Sequence, residues 1–335
     1  MLAAALLGAL IALVGWPAAA QTPELQLPVA CTPGVDCWVQ NYPDDDTLTG
    51  SAHDYTCGGA TYDGHDGTDI RVLSVDKAAG VAVLAAAAGT VRAIRDGEPD
   101  HLMRTAADRA AVAGRECGNG LAITHADGWE TQYCHLRKGS IRVRQGDKVQ
   151  AGTVLGEIGQ SGETEFPHLH LTLRQGKVAI DPFSRMPVKN ADKPYACGSG
   201  SGQGHWSEAV AKLLGQPATA VLEVGFASVA PQDDTLEVGH AEVPPPHVSA
   251  PALVFFARIM HLRAGDRVHI RIDVPSGPPL DQTSEPLSRD SAVRVLSGVR
   301  TRTAATWIAG DYAGQVEVLR NGAVVASGKG GAQLR

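Results

Sequence analysis

The chain has 335 residues, which is more than one ordinary domain needs and enough for two. Apolar residues make up 44% of it, so a packed core is attainable, and the formal net charge is −7. This charge argues against nucleic acid as a partner, because binding to phosphates needs clustered lysines and arginines.

The first twenty residues have the pattern of a secretory signal peptide. Residues 2–14 are almost wholly apolar, and the alanines at 18–20 offer a cleavage site made of small residues. A membrane anchor is the alternative, but the apolar run is short for a bilayer span. We therefore expect an exported protein, periplasmic or secreted, with no stable membrane span once residues 1–20 are removed.

Six cysteines in an exported chain suggest three disulfide bonds. The pairs that the positions favour are Cys31 with Cys37, Cys117 with Cys134, and Cys57 with Cys197. The first pair flanks a turn-forming Pro-Gly, the second brackets an apparent hairpin, and the third would tie the front of the central region to its end. A cysteine metal site is the alternative, but the chain contains no Cys-x-x-Cys pair.

The segment after the signal peptide predicts an arm followed by a β-rich domain. Residues 21–50 are rich in proline, aspartate and threonine, contain two cysteines and lack periodicity, so we expect an irregular N-terminal arm. Residues 51–190 carry short apolar runs separated by glycine turns, which is typical of strands. The predicted strands include 89–94, 120–124, 130–135, 141–143 and 169–173. Asp127-Gly128 predicts a hairpin, and a charged, alanine-rich stretch at 106–113 predicts a surface helix.

A second β module is predicted at the C-terminal end. Prolines and a Gly-Ser-Gly-Ser-Gly run indicate a linker at 191–206. Residues 207–335 contain further short strands between proline-rich loops, and Asn321-Gly322 predicts another hairpin. This pattern fits an Ig-like β-sandwich, which we expect to serve in binding or positioning, with a purely structural cap as the alternative.

Histidine and aspartate residues form two clusters with the chemistry of metal ligands. His65 and Asp69 offer an imidazole nitrogen and a carboxylate oxygen, and Gly67 between them permits a tight backbone. His168 and His170 would share one face of a strand, because side chains alternate along it. Taken separately, the clusters could also be a surface turn and an exposed strand with incidental histidines. Taken together, they offer enough side chains for the three protein ligands that a catalytic zinc takes beside one open position.

The order of these motifs resembles one known family. The motifs His65-x-x-x-Asp69, Tyr133-x-His135-Leu136 and His168-Leu169-His170 resemble the lysostaphin/LytM-type zinc metalloendopeptidases, which are peptidoglycan hydrolases. The likeness covers about residues 55–186 and includes the glycine-rich frame around Gly118-Asn119-Gly120. It implies the duplicated hybrid motif fold of that family, a β-rich, barrel-like sandwich with zinc in an open groove.

The resemblance also implies a cofactor and a set of site residues. The implied cofactor is Zn²⁺, its implied ligands are His65, Asp69 and His170, and the implied catalytic residues are His135 and His168. Such enzymes often use a tyrosine upstream of the first histidine in the substrate groove, and Tyr62 and Tyr55 are the candidates here. Residues 51–190 are accordingly expected to form a zinc metallopeptidase domain.

The implied function is the hydrolysis of peptide bonds in bacterial cell-wall peptidoglycan. One alternative is a catalytically silent, wall-binding regulator of another murein hydrolase. Relatives of that kind typically lack metal ligands, whereas this chain retains all three together with both catalytic histidines. The other alternative is a secreted protease that acts on glycine-rich proteins with the same zinc chemistry.

Overall fold

A computed structural model describes residues 22–188, 204–215 and 218–335. The predicted signal peptide, Cys197 and the glycine-serine run of the predicted linker lie outside these ranges. Strands dominate the described chain, which confirms the predicted β-rich class. Among the described helices, none is long and apolar enough to cross a membrane.

The described residues before the C-terminal sandwich, 22–188 and 204–215, are called the first unit here, and an antiparallel sheet of eight strands forms its larger part. Its strands are β1 (Cys37–Asn41), β2 (Thr68–Val72), β4 (Gly89–Arg95), β5 (Asn119–Thr124), β6 (Trp129–Leu136), β7 (Lys148–Val149), β9 (His168–Gln175) and β10 (Val178–Ile180), while β3 (Ala82–Leu84) and β8 (Val154–Glu157) form a separate pair. The spatial order is β1-β2-β9-β6-β5-β4-β7, with β10 beside β9. Because β1 and β7 lie at opposite ends of this order, the sheet stays open rather than closing into a barrel.

The side chains of β9 separate the core from the site. Leu169, Leu171 and Leu173 are fully buried on one face, where they join a core that includes Ile70 and Ile123. The residues between the leucines lie on the opposite face, because successive side chains of a strand point to opposite sides of the sheet. The alternating sequence of β9 therefore places its histidines away from the core, as predicted.

The N-terminal arm is more ordered than its composition predicts. Residues Cys37–Asn41 form strand β1, which pairs antiparallel with β2 and is buried along its whole length. The expectation of an irregular arm is therefore wrong for this stretch. Backbone hydrogen bonds to an existing sheet outweigh local composition, since a strand gains most of its stability from its neighbours.

The local predictions inside the first unit are mostly confirmed. Asp127 and Gly128 adopt positive φ angles of 52° and 75° in the hairpin that joins β5 to β6. Helix α2 (Ala106–Ala111) lies within the predicted surface stretch, buries no residue and begins with a capping box between Thr105 and Asp108. Residues 141–143 were predicted as a strand and form none, because few of their backbone groups find a partner strand.

Two antiparallel sheets pack face to face in the C-terminal module. One contains β11 (Ala220–Ala227), β12 (Ala252–Leu262) and β15 (Ser291–Thr301), and the other contains β13 (Arg267–Asp273), β14 (Leu280–Thr283), β16 (Gly310–Arg320) and β17 (Ala323–Leu334). Their inner faces share a core that includes Phe255, Ile259 and Val316. The predicted hairpin at Asn321-Gly322 joins β16 to β17. The arrangement confirms the predicted β-sandwich.

The segment at 204–215 packs against the first unit rather than the sandwich. Trp206 and Leu214 belong to the first hydrophobic core, and Leu214 is the last residue of helix α3 (Glu208–Leu214). The Tyr42 hydroxyl donates a hydrogen bond of 2.7 Å to the Leu214 carbonyl. The first unit therefore includes residues that the sequence places in the linker and at the start of the C-terminal module.

Two of the three predicted disulfide bonds are present. Cys31 is bonded to Cys37, and Cys117 is bonded to Cys134. The prediction for Cys57 and Cys197 lies outside what the described residues can test. Two further short α-helices are described: α1 (Val75–Ala78) follows β2, and α4 (Asp233–Val238) follows β11.

Candidate metal centre and active site

Strand pairing brings the three predicted metal ligands together. Asp69 on β2 lies opposite His170 on β9 in the antiparallel register of these strands. His65 precedes β2 by a short turn that returns its ring to the same place. All three side chains are largely shielded from solvent, with His65 at 1% and Asp69 at 2% exposure. Residues that are remote in sequence thus meet at the sheet surface.

The donor atoms of these residues form a compact triangle. His65 Nε2 lies 3.1 Å from Asp69 Oδ1, and His170 Nδ1 lies 2.9 Å from the same oxygen. The two nitrogens are 3.2 Å apart. Ligand bonds of ~2.0–2.1 Å to a tetrahedral zinc ion would put donors about 3.3 Å from one another. The separations therefore fit three ligands around a single ion of that size.

The hydrogen bonds behind the triangle decide which atoms face its centre. His65 Nδ1–H donates a hydrogen bond of 2.7 Å to the Tyr42 carbonyl, because a carbonyl oxygen can only accept. In the neutral ring Nε2 is then an acceptor, and it faces a carboxylate oxygen of Asp69, which is also an acceptor. Two buried acceptors at this distance repel each other unless a proton or a cation lies between them. The donor set thus fits a cation.

The N-terminal arm holds these ligands from behind. Asn41 Nδ2 donates a hydrogen bond of 2.8 Å to Asp69 Oδ2, which leaves Oδ1 facing the triangle. Asp44 accepts a hydrogen bond from the backbone N–H of Gly64, next to His65. These groups fix the orientation of the carboxylate and of the first histidine. Sequence reasoning missed them, although the buried run of β1 carries a strand-like pattern.

Gly67 is required by the close approach of His170. A Cβ atom at position 67 would lie 2.5 Å from His170 Nε2 and 2.8 Å from the Leu171 carbonyl oxygen. Both distances are shorter than van der Waals contact, so any side chain at this position would displace the imidazole. The glycine between His65 and Asp69 therefore serves the tight convergence that the sequence predicts.

The two predicted catalytic histidines lie beside the triangle. The rings of His135 and His168 have centroids 4.6 Å apart, and His168 Nε2 lies 3.4 Å from Asp69 Oδ1. His135 has a left-handed backbone with φ of 64°, near the end of β6 where the pairing with β5 is irregular. A positive φ is uncommon for residues other than glycine and often marks a functional position.

Backbone carbonyls orient both of these rings. His135 Nδ1 donates a hydrogen bond of 2.8 Å to the Ser161 carbonyl, and His168 Nδ1 donates one of 2.8 Å to the Phe166 carbonyl. The Thr164 hydroxyl also lies 3.0 Å from His168 Nδ1. With Nδ1 occupied in each case, Nε2 is the nitrogen that remains for the site. Thr164 and Phe166 shortly precede the His-x-His motif, and sequence reasoning did not single them out.

The ionisable groups perturb one another strongly in the ion-free chain. Burial acts to raise the pKa of Asp69, but the adjacent His65 and His168 outweigh it and hold that pKa well below its usual range. Burial acts to lower the pKa of His170, but bonds to Asp66 and Asp69 raise it to about 9. A proton on His170 would occupy the place of a cation, so metal binding at neutral pH is expected to release it.

An open cleft of about 790 Å³ gives access to the site. Its walls carry acidic side chains of Asp66, Glu116 and Glu163 together with the basic side chains of Arg109 and Arg174. Arg109 lies on helix α2, so this surface helix forms part of the wall. The mixed charges suit a polar, extended ligand better than an apolar one.

The two tyrosine candidates for the groove have different positions. Tyr62 lines the cleft, is 53% exposed and has its ring centroid 4.5 Å from that of His65. Tyr55 lies outside the cleft lining, stacks on Phe183 at 5.2 Å and donates its hydroxyl proton to the Gly215 carbonyl. The structure therefore places Tyr62, and not Tyr55, beside the predicted ligands.

Comparison with known proteins links part of the chain to one family. Residues 63–182 match the sequence model described as Peptidase family M23. Cell division protein DipM of Caulobacter vibrioides is 33% identical over 91 residues, which cover 26% of this chain and 15% of DipM. Peptidoglycan DD-endopeptidase ShyA of Vibrio cholerae is 41% identical over 56 residues, which cover 17% of this chain and 13% of ShyA.

These matches involve a small part of each relative, so they describe a shared domain and not whole proteins. Among solved structures, the catalytic domain of the antimicrobial peptidase lysostaphin from Staphylococcus simulans is 20% identical, with a TM-score of 0.28. The match covers 42% of this chain and 86% of that structure's chain. The family match spans every predicted ligand and both predicted catalytic histidines.

Proposed function

From the premise that residues 63–182 are a domain of Peptidase family M23, we propose that this chain is a zinc-dependent endopeptidase that hydrolyses peptide bonds in bacterial peptidoglycan. The proposal takes His65, Asp69 and His170 as the zinc ligands. Peptidoglycan is named as the substrate because the relative ShyA carries it in its name. Export to the periplasm or to the outside of the cell is part of the same proposal.

The observation that carries the proposal is the triangle of donor atoms. Two imidazole nitrogens and one carboxylate oxygen converge at 2.9–3.2 Å at the floor of an open cleft. Three protein ligands with solvent access to a fourth position suit a catalytic metal, whereas structural zinc sites are closed by four protein ligands. When bound, zinc supplies a Lewis acid that polarises a carbonyl and lowers the pKa of a bound water to about 7.

The residues of the chain supply the remaining functions. His135 and His168 present Nε2 toward the cleft, and we assign to them the transfer of a proton from the attacking water to the leaving amine. An imidazole that has taken the proton of the attacking water carries N–H on both nitrogens, so its Nε2 can then donate a hydrogen bond to the oxyanion that develops on the scissile carbonyl. Tyr62 lies at the cleft wall, where its hydroxyl can contact bound substrate. Asn41 and the Tyr42 carbonyl keep Asp69 and His65 oriented throughout.

A catalytically silent regulator is the weaker proposal. Such a protein has no need of a complete set of metal donors. In this chain the set is complete and largely buried, and hydrogen bonds from Asn41 to Asp69 and from His65 to the Tyr42 carbonyl orient two of its members. Two histidines whose rings are oriented by backbone carbonyls beside the metal donors also favour turnover over binding alone. A protease of glycine-rich proteins would use the same site. Only a comparison of cleavage rates on glycine-rich proteins and on peptidoglycan can therefore distinguish this alternative from the main proposal.

The direct test is mass spectrometry of muropeptides after digestion of purified peptidoglycan. The proposal expects new peptide termini with the zinc-loaded chain and none after removal of the metal by a chelator. The control variant is His247→Ala, because His247 is an exposed histidine of the C-terminal module. If an elastin-like peptide were cleaved while muropeptides stayed uncut, the protease of glycine-rich proteins would be favoured. If the chain cleaved neither substrate but stimulated another hydrolase, the regulator would be favoured.

A further inference from the structure

The contact between the first unit and the C-terminal module contains buried charges. Arg71 on β2 and Arg258 on β12 are both fully buried. Glu237 on α4 lies 2.7 Å from Arg71 and 3.3 Å from Arg258, and Glu223 lies 2.8 Å from Arg258. Two guanidinium groups and two carboxylates thus neutralise one another at the junction. Burying charges is costly, so such groups are better suited to fixing an orientation than to adding stability.

Arg71 leads from this junction directly to the candidate site. It shares a face of β2 with Asp69, two residues away, and its backbone pairs with that of His168 on β9. The guanidinium carbon of Arg71 lies 5.1 Å from the ring centroid of Phe166, which is a cation–π contact. The ring of Phe166 in turn stacks on the ring of His168, with centroids 4.3 Å apart.

Phe166 holds His168 in two ways. Its ring covers one face of the imidazole, and its backbone carbonyl accepts the Nδ1 proton at 2.8 Å. The Thr164 hydroxyl donates to the same carbonyl at 2.7 Å. The position of the segment 163–167 therefore sets the position of His168.

A second contact joins helix α4 to this segment. Arg104 donates one hydrogen bond of 3.1 Å to the Glu165 carbonyl and another of 3.4 Å to the Asp234 carbonyl. Asp234 and Glu237 are three residues apart on α4, so they lie on neighbouring positions of one helix face. One face of α4 thus contacts the segment 163–167 through two arginines, one buried and one partly exposed.

We propose that helix α4 of the C-terminal module positions His168, acting through Arg71 and Phe166 and through Arg104 and the backbone of Glu165. The C-terminal module then supports the structure of the active site, in addition to any role in binding the cell wall. The cleft supports this view, because Ala292 of the module lines it. The catalytic consequence rests on the proposed peptidase function, whereas the positioning itself does not.

Glu237 is a positioning residue in this proposal, and its loss has a distinct kinetic signature. Glu237→Gln keeps the size of the side chain and removes the carboxylate charge that pairs with Arg71, whose other hydrogen bonds go to Gln40 and to backbone carbonyls. We expect kcat on a short soluble peptide substrate to fall about tenfold while KM and zinc content stay unchanged, since only the proton-transfer group loses its orientation. A module that served only to bind the wall would leave turnover of a soluble peptide unaltered.

The deciding experiment is hydrogen–deuterium exchange of residues 163–168 in the full chain. We expect exchange about tenfold faster in Glu237→Gln and in Arg104→Met than in the unmodified protein. Glu242→Gln is the matched control, because Glu242 is an exposed glutamate that closely follows α4. If Glu237→Gln does not fold, Arg104→Met decides, since Arg104 is partly exposed and outside the buried cluster.

Unchanged exchange in Arg104→Met and in a folded Glu237→Gln would overturn the positioning role. The exchange readout needs no turnover, so a chain that proves inert on peptidoglycan still gives a result. A chain with faster exchange but no hydrolysis by the unmodified protein would refute the proposed function alone.

Discussion

The candidate site has two halves: the ligand half, with His65, Asp69 and His170, and the histidine half, with His135 and His168. Different parts of the molecule orient the side chains of each half. The ligand half is built on β2 and β9, whose paired backbones place Asp69 opposite His170, and it is supported by the strand of the N-terminal arm. The histidine half depends on backbone carbonyls of Ser161 and Phe166, which lie outside the regular strands. His135 and His168 themselves lie on β6 and β9, so the strands place these residues and the two carbonyls orient only their rings. The segment that supplies the Phe166 carbonyl is linked to helix α4 through Arg71 and Arg104.

The largest effect is expected from loss of a ligand. Asp69→Ala or His65→Ala should abolish zinc binding and lower hydrolysis by at least about 10³-fold, because the chemistry that zinc supplies is worth several kcal/mol. Metal content by elemental mass spectrometry and muropeptide release would be measured together. His247→Ala serves as the control for the histidine variant, and hydrolysis that persists in a metal-free ligand variant would contradict the assignment.

Loss of a catalytic histidine should separate metal binding from turnover. We expect His168→Ala and His135→Ala to keep about one zinc per chain and to lower kcat by roughly 10²–10⁴, the usual contribution of general acid–base groups. His65, Asp69 and His170 would all remain in place, although ligand atoms of His135 and His168 also lie within 4.8 Å of one of His170. Loss of zinc from either variant to the extent seen with Asp69→Ala would show that the two halves are not independent.

Orienting groups should give smaller effects that still follow the division. Asn41→Ala should lower zinc affinity by about 10–100-fold, because the Asp69 carboxylate loses its outer hydrogen bond. Thr164→Val keeps the shape of the side chain and should lower kcat several-fold with zinc affinity unchanged. Competition with a chromogenic chelator would measure the affinity, and equal effects of both variants on zinc binding would contradict the comparison.

The smallest effect concerns the attachment of the arm. Burial and the nearby charge of Asp181 raise the pKa of Asp45 to about 8, and burial raises the pKa of Asp181 to about 6. Between pH about 4 and about 8, these two carboxyl groups keep protons in the folded state that they have already released in the unfolded chain. The free energy of unfolding therefore falls as the pH rises through this range. Urea unfolding at pH 5 and at pH 8 would give the loss of unfolding free energy between the two values. Asp45→Asn should make this loss smaller than in the unmodified protein, by on the order of 1 kcal/mol. An identical pH dependence of both proteins would contradict the shift.

Sequence reasoning recovered the parts of the site that follow from local rules. The alternation in His168-Leu169-His170 predicted which side chains leave the core, and Gly67 signalled the tight approach. The hairpins at Asp127-Gly128 and Asn321-Gly322 follow from the backbone freedom of their residues. Each of these features is decided by a few consecutive residues, which is why the sequence was sufficient.

The parts that the sequence did not reveal are contacts between distant segments. Asn41 and Tyr42 reach the ligands only because β1 adds to the sheet edge beside β2. Glu237 meets Arg71 across a separation of 166 residues, and neither carries a local motif. Trp206 looked like part of a linker, yet it packs into the first core. Long-range pairing of this kind depends on the whole fold, so spacing along the chain cannot predict it.

We expect the ligand triangle and the histidine pair to act as separate functional halves of one site. Titration calorimetry would measure zinc stoichiometry and affinity for Asp69→Ala beside His168→Ala, both as the full chain. We expect Asp69→Ala to bind no zinc and His168→Ala to bind about one zinc at nearly unchanged affinity. Retention of zinc by Asp69→Ala, or equal loss from both variants, would contradict it.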